Sequence, residues 1–179
     1  MDHIEKELEA GRAVILPTET VYGIFAKALD QESVDYIYEL KRRPRDKALN
    51  LNVAGEEDIR LYSKSQPNYL TKLIDSFLPG PLTIILQAND KVPGWIHSGL
   101  DTVGFRIPAH PKTLELIRKY GPLVGPSANL SGHASGTKYK AIVSEFDQVV
   151  PGIEDDDFLT GQDSTILDIS GSKARILRQ

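Results

Sequence analysis

Short apolar runs alternate with amphipathic stretches along the whole chain, and this alternation restricts its fold more than any single motif. Ala13–Leu16 is continuously apolar and ends at Pro17, which reads as a strand buried on both faces. Leu49–Val53 alternates apolar and polar residues, so Asn50 and Asn52 share its polar face. Leu82–Leu86 is rich in β-branched residues. Thr102–Pro108 places Val103, Phe105 and Ile107 on one face and Thr102, Gly104 and Arg106 on the other. Leu123–Gly125, Asp163–Asp168 and Ala174–Arg178 complete the strand-like runs, with a turn at Gly171. Helical patterns cover Ile4–Ala10, Gln31–Leu40, Gly55–Tyr62, Tyr69–Phe77, Thr113–Lys119 and Tyr139–Phe146, and Val92–Gly99 reads as a loop. Asp30 is the expected N-cap of the second helix, and Gly11 the stop of the first. Strands and helices in alternation predict an α/β fold, a twisted mixed β-sheet flanked by helices, in a single domain over residues 1–179.

Composition narrows the function classes. Hydrophobic residues make up 40% of the chain and charged residues 26%, the balance of a globular protein. The net charge is −4, so any anion-binding surface has to be a local patch. There is no cysteine, which excludes disulfides and thiolate metal sites and fits a reducing, cytoplasmic setting. No apolar run approaches the roughly 20 residues that span a bilayer, and no membrane partner is expected.

That local patch is Lys41-Arg42-Arg43-Pro44-Arg45-Asp46-Lys47, where five of seven residues are cationic. Side chains this close repel unless they are solvated or surround an anion. Val34, Ile37, Tyr38 and Lys41 fall on one side of the preceding helix, which brings Lys41 and Arg43 to its negative end. Pro17–Gly23 follows a buried strand with two hydroxyls, a carboxylate and a phenol, at the place where open α/β sheets bind ligands. Arg106 beside Gly104 can hold a carboxylate or form a structural salt bridge. Pro126–Gly132 is a small-residue loop able to cradle an oxyanion, and it is neither a Walker loop nor a dinucleotide fingerprint. Glu154–Asp157 reads as a solvated acidic loop or a site of divalent cation capture. The four histidines show no ligand spacing, so no protein-held metal is expected. Cations, hydroxyls and amides suit catalysis by positioning and charge stabilisation at a phosphate.

Several segments in order resemble the YrdC/TsaC family, the threonylcarbamoyl-AMP synthases. They are Pro17–Gly23, Lys41–Pro44, Pro79–Thr83, Thr102–Pro108, Pro126–Gly132, Ser164–Ile166 and Leu177–Arg178. The resemblance implies a YrdC-like fold with a positively charged central cavity. It also implies a reaction in which L-threonine, bicarbonate and ATP, with Mg²⁺, give threonylcarbamoyl-AMP and pyrophosphate. The product would feed threonylcarbamoyladenosine modification of tRNA through downstream tRNA-modification proteins.

Carried over residue by residue, Lys41 and Arg43 are the expected catalytic triphosphate clamps, joined by Ser127 and Asn129. Lys47, Thr102 and Arg178 are expected to contact the nucleotide. Arg106 is expected to grip the threonine carboxylate, with Thr18, Thr20, Asn52 and Ser164 lining the amino-acid pocket. Two departures stand out. Ala48 replaces a common family proline after Lys47, and Asn52 stands where many members carry histidine. The chain ends just after Arg178, which matches the single-domain form. The competing readings are a tRNA- or double-stranded-RNA-binding module without chemistry, and a related carbamoyl-transfer domain.

Overall fold

A computed structural model describes all 179 residues. Eight strands form one mixed sheet, β1 (Val14–Leu16), β2 (Gly23–Lys27), β3 (Leu51–Asn52), β4 (Leu82–Gln87), β5 (Thr102–Arg106), β6 (Leu123–Val124), β7 (Thr165–Asp168) and β8 (Arg175–Arg178). Their spatial order is β1-β2-β6-β3-β5-β4-β7-β8. β3 runs parallel to β5 and β4 parallel to β7, and the other pairings are antiparallel.

Seven helices complete the fold, α1 (Asp2–Glu9), α2 (Gln31–Lys41), α3 (Glu56–Tyr62), α4 (Leu70–Phe77), α5 (Gly94–His97), α6 (Pro111–Tyr120) and α7 (Tyr139–Glu145). None is long and apolar enough to cross a membrane. Local chemistry explains their ends. Asp30 caps α2 as the sequence predicts, accepting from the Glu32 N–H through Oδ1 and from the Ser33 hydroxyl through Oδ2. His110 caps α6 through Nδ1, and Pro111 occupies its first turn. Gly11 has φ +77°, the left-handed conformation in which glycine avoids Cβ strain.

The sequence reading misses two elements. β2 lies just after the Pro17–Gly23 turn, and its first four residues are all buried, so it shows no alternation. The tryptophan segment contains α5, held in place by the Trp95 indole donating to the Ala28 carbonyl.

Packing covers one face of the sheet with the larger core, and the other face carries a second apolar cluster beside the ligand cavity. The larger core cluster unites Ile24, Leu51, Ile84, Val103 and Phe105 with Ile37, Tyr38, Ile59 and Ile74 from the helices. A second cluster joins α1 and α6 across Val14, Leu16, Phe25 and Leu123. Parallel pairing sets Leu51 beside Phe105 and Asn52 beside Arg106. The apolar members of β3 and β5 therefore enter the core together, and their polar neighbours emerge together on the other face.

Candidate nucleotide and amino-acid site

The polar face of the sheet forms the floor of a cavity of about 210 Å³. Asn50 and Asn52 lead into and along β3, Arg106 ends β5, Thr83 lies on β4, and Ser164 precedes β7. Gly104 on β5 leaves room for this floor, because a Cβ there would stand 2.2 Å from Asn50 Oδ1. The walls are Thr18 and Thr20–Gly23 after β1, Arg43 after α2, Gly125–Ser127 after β6, Ser135, Asp163 and Arg178 on β8. Of the 19 lining residues only four are hydrophobic, so the cavity suits a highly polar ligand.

Eight of the twelve residues expected at the site share this cavity: Thr18, Thr20, Arg43, Asn52, Arg106, Ser127, Ser164 and Arg178. The three arginines come from distant parts of the chain, and each is oriented by backbone or hydroxyl oxygens. Arg43 donates through Nη2 to the Ala48 carbonyl at 2.7 Å. Arg178 donates to the Ser164 carbonyl at 2.8 Å and to its hydroxyl at 3.1 Å. Ser164 in turn shares a hydrogen bond of 2.9 Å with Thr83. Arg106 donates through Nη2 to Thr20 Oγ1 at 2.9 Å and to the Glu19 carboxylate. The structural salt bridge that sequence leaves as an alternative for Arg106 is therefore present, alongside its place on the cavity wall.

The other four expected residues lie off the cavity wall. Lys41 is buried with 1% exposure, and its ammonium donates to the carbonyls of Ser127 at 2.5 Å and Asn129 at 2.7 Å. It grips the backbone of the Pro126–Gly132 loop rather than facing the cavity. Burial, with Arg43 and Lys47 nearby, lowers its pKa from 10.5 to about 8. Asn129 is also buried, its amide donating to the Leu130 and His133 carbonyls while Oδ1 has no partner. Lys47 is exposed, and its carbonyl accepts from the Tyr38 hydroxyl at 2.7 Å. Thr102 is half-buried at the far end of β5, two residues beyond Gly104.

Asn50, Tyr22, Thr83, Ser135 and Asp163 also line the cavity without having been singled out as site residues. Strand alternation already places Asn50 beside Asn52, and Thr83 closes the Pro79–Thr83 motif. Nothing local marks Ser135 and Asp163, which meet across 28 residues of chain at 3.4 Å.

The acidic run has structural partners. Asp155 pairs with His110 at 2.8 Å. Asp156 accepts from the Tyr22 hydroxyl and the Tyr139 N–H, and these bonds hold its carboxyl below the usual range. Burial, together with these acids, pushes the Tyr22 phenol well above its ordinary value. Cation capture by this run gains no support, because no group of three or more metal-ligating side chains occurs.

A polar cavity with three arginines in its wall, on a mixed α/β sheet, has the chemistry to receive an anionic ligand. The chain belongs to the Sua5/YciO/YrdC family, whose model, described as "Telomere recombination", matches residues 6–179. It is 38% identical over 173 residues to the threonylcarbamoyl-AMP synthase of Pyrococcus abyssi, covering 96% of this chain and 51% of that one. It is 37% identical over 174 residues to the Bacillus subtilis enzyme of the same name, covering 96% and 50%. The chain thus spans about half the length of these relatives. The structure of P. abyssi Sua5 complexed with L-threonine superposes with a TM-score of 0.86 at 36% identity, covering 97% of this chain and 52% of that one. Escherichia coli YciO shares the fold, with a TM-score of 0.85 at 22% identity over 99% of this chain and 87% of that one.

Proposed function

We propose that this protein forms threonylcarbamoyl-AMP from L-threonine, bicarbonate and ATP, releasing pyrophosphate. One observation carries the reading: Arg43, Arg106 and Arg178 converge on one polar cavity together with Ser127, Thr18, Thr20, Asn52 and Ser164. Relatives of the same name and a threonine-bound relative support it.

The threonine amine and bicarbonate condense to a carbamate with loss of water. A carbamate oxygen attacks the α-phosphorus, and the bond to pyrophosphate breaks. A carboxylate, a carbamate and a triphosphate have to meet in one cavity. Two unit charges about 4 Å apart repel by roughly 4 kcal/mol at intermediate dielectric. Arg106 offsets the threonine carboxylate, while Arg43 and Arg178 offset the phosphates. Ser127 offers a further donor to phosphate oxygens, while the N–H groups of Ala128–Ser131 are spent within the protein. Lys41 acts from behind by fixing that backbone, with Asn129 as part of the same loop. Lys47 and Thr102 contact the nucleotide at the rim.

Mg²⁺ would bind through ATP. The cavity wall has one carboxylate, Asp163, beside the Ser135 hydroxyl. Such a wall fits an ion that keeps its waters and is held largely by phosphates. Bound there, it would neutralise charge on the departing pyrophosphate. The product passes to cytoplasmic proteins that modify tRNA.

The test is pyrophosphate release from ATP, with threonine and bicarbonate omitted in turn. Release that requires both supports the assignment. Release that is indifferent to either, or absent with all three present, overturns it.

A further inference from the structure

Glu19 is a carboxylate inside the Pro17–Gly23 segment, yet it does not line the cavity. It lies directly behind Arg106. Its Oε1 accepts from Arg106 Nη2, and its Oε2 accepts from the Ala109 N–H at 2.7 Å. Its own backbone is fixed as well, since the Glu19 carbonyl accepts from the Thr160 N–H at 3.0 Å. The guanidinium is consequently held on one side only. Nη2 spends its donors on Glu19 and Thr20, Nη1 donates to no protein group, and Nε is buried without a partner. The two side chains are each only 13% exposed, so water screens the pair weakly.

We propose that Glu19 is the positioning residue for the amino-acid subsite: it fixes Arg106 so that the unspent Nη1 donors receive the substrate carboxylate. This deepens the reading above and rests on it. The anchored Oε2 is decisive between two roles. A carboxylate that merely occupied Arg106 until substrate displaced it would need freedom to leave, whereas Glu19 is tied to Ala109 and Thr160. Glu19 therefore stays in place when the substrate binds, and Arg106 makes its substrate contact with the donors that Glu19 leaves free.

The role makes a selective demand. Losing Glu19 frees the guanidinium to rotate, which weakens recognition of the amino-acid carboxylate and leaves the nucleotide contacts at Arg43 and Arg178 intact. The experiment measures steady-state pyrophosphate release by the parent, Glu19→Ala and Glu19→Gln, varying L-threonine and ATP separately. L-Threonine amide, which lacks the carboxylate charge, serves as the comparison substrate, and thermal melts monitor folding.

For Glu19→Ala the KM for threonine rises at least about tenfold, the scale of one hydrogen bond to a charged group. The KM for ATP and the kcat at saturating threonine stay within about threefold. The preference of kcat/KM for threonine over threonine amide falls by a similar factor. Glu19→Gln keeps an acceptor for Arg106 but loses the charge and the Ala109 partner, so it falls between the two; if Glu19→Ala does not fold, it provides the test.

Tighter threonine binding in Glu19→Gln shows that Glu19 competes with the substrate and overturns the proposal. Unchanged threonine KM, or an equal loss for threonine and its amide, overturns it too. A parent protein that releases no threonine-dependent pyrophosphate refutes the underlying functional reading instead, so the two failures are distinguishable.

Discussion

Lys41→Met separates two roles for the most buried cation in the protein. In the first role the ammonium touches the triphosphate; in the second it holds the Ser127–Ser131 backbone so that Ser127 faces the ligand. The structure supports the second, with Nζ at 2.5 and 2.7 Å from two carbonyls and the Ser131 N–H returning a bond of 2.9 Å to the Lys41 carbonyl. Holding the ammonium at a pKa of about 8 rather than 10.5 corresponds to about 3 kcal/mol, at 1.36 kcal/mol per tenfold. Two hydrogen bonds from a charged donor return roughly 3–6 kcal/mol.

Methionine removes both terms, so the net loss of global stability is about 0–3 kcal/mol. For a chain of this length that is a fall in Tm of at most about 12 °C. The loop itself loses both bonds. Amide hydrogen exchange of the ligand-free variant at Ser127–Ser131 is expected to rise at least about tenfold, with exchange in β4 and β5 changing no more than the global stability. ATP affinity falls about 10- to 100-fold, since a misplaced oxyanion cradle loses donors at that scale. Unchanged loop exchange in the ligand-free variant, combined with the same loss of ATP affinity, refutes the positioning role and returns Lys41 to direct phosphate contact.

Three further outcomes follow from the same geometry. Arg43→Ala lowers turnover by about a hundredfold in the pyrophosphate assay, the scale for one preorganised charge donor. Gly104→Ala drives a methyl group into Asn50 Oδ1; Tm falls and activity drops at least about tenfold. Adding Asn50→Ala restores Tm but not activity, because the floor residue is still missing. The third outcome concerns pH. The folded pKa of Lys41 lies below its unfolded value, so between about 8 and 10.5 the unfolded chain binds more protons and the Lys41 contribution makes stability rise with pH. In the folded chain the ammonium loses its proton at the lower end of this window, so ATP affinity falls as pH rises through about 8. That alkaline fall disappears in Lys41→Met, measured by titration calorimetry with ATP.

Much of the fold is legible because the strands that carry the site have one wet face. Alternation in Leu49–Val53 and Thr102–Pro108 suffices to bring Asn52 and Arg106 to one surface, and parallel pairing makes them neighbours. β2 escapes because a strand buried on both faces looks like any short apolar run. Lys41 shows what charge alone leaves out. Its spacing with Val34, Ile37 and Tyr38 already puts it on the buried face of α2, but the carbonyls that receive it lie 86 and 88 residues away. Glu19 and Arg106 are separated by 87 residues in the same way. Partners at such distances are set by sheet order, and local pattern does not report sheet order. The acidic run Glu154–Asp157 likewise reads as solvated charge until His110, Tyr22 and Tyr139 are placed against it.

The most direct measurement supplies ¹⁴C-bicarbonate with ATP and L-threonine and follows the label into an adenylate resolved by chromatography and mass spectrometry. Joining carbamate to α-phosphate in one cavity predicts a labelled threonylcarbamoyl adenylate that forms with the parent protein and is lost with Arg106→Ala. Label that stays in bicarbonate while ATP is cleaved, or an adenylate that forms equally well in Arg106→Ala, contradicts it.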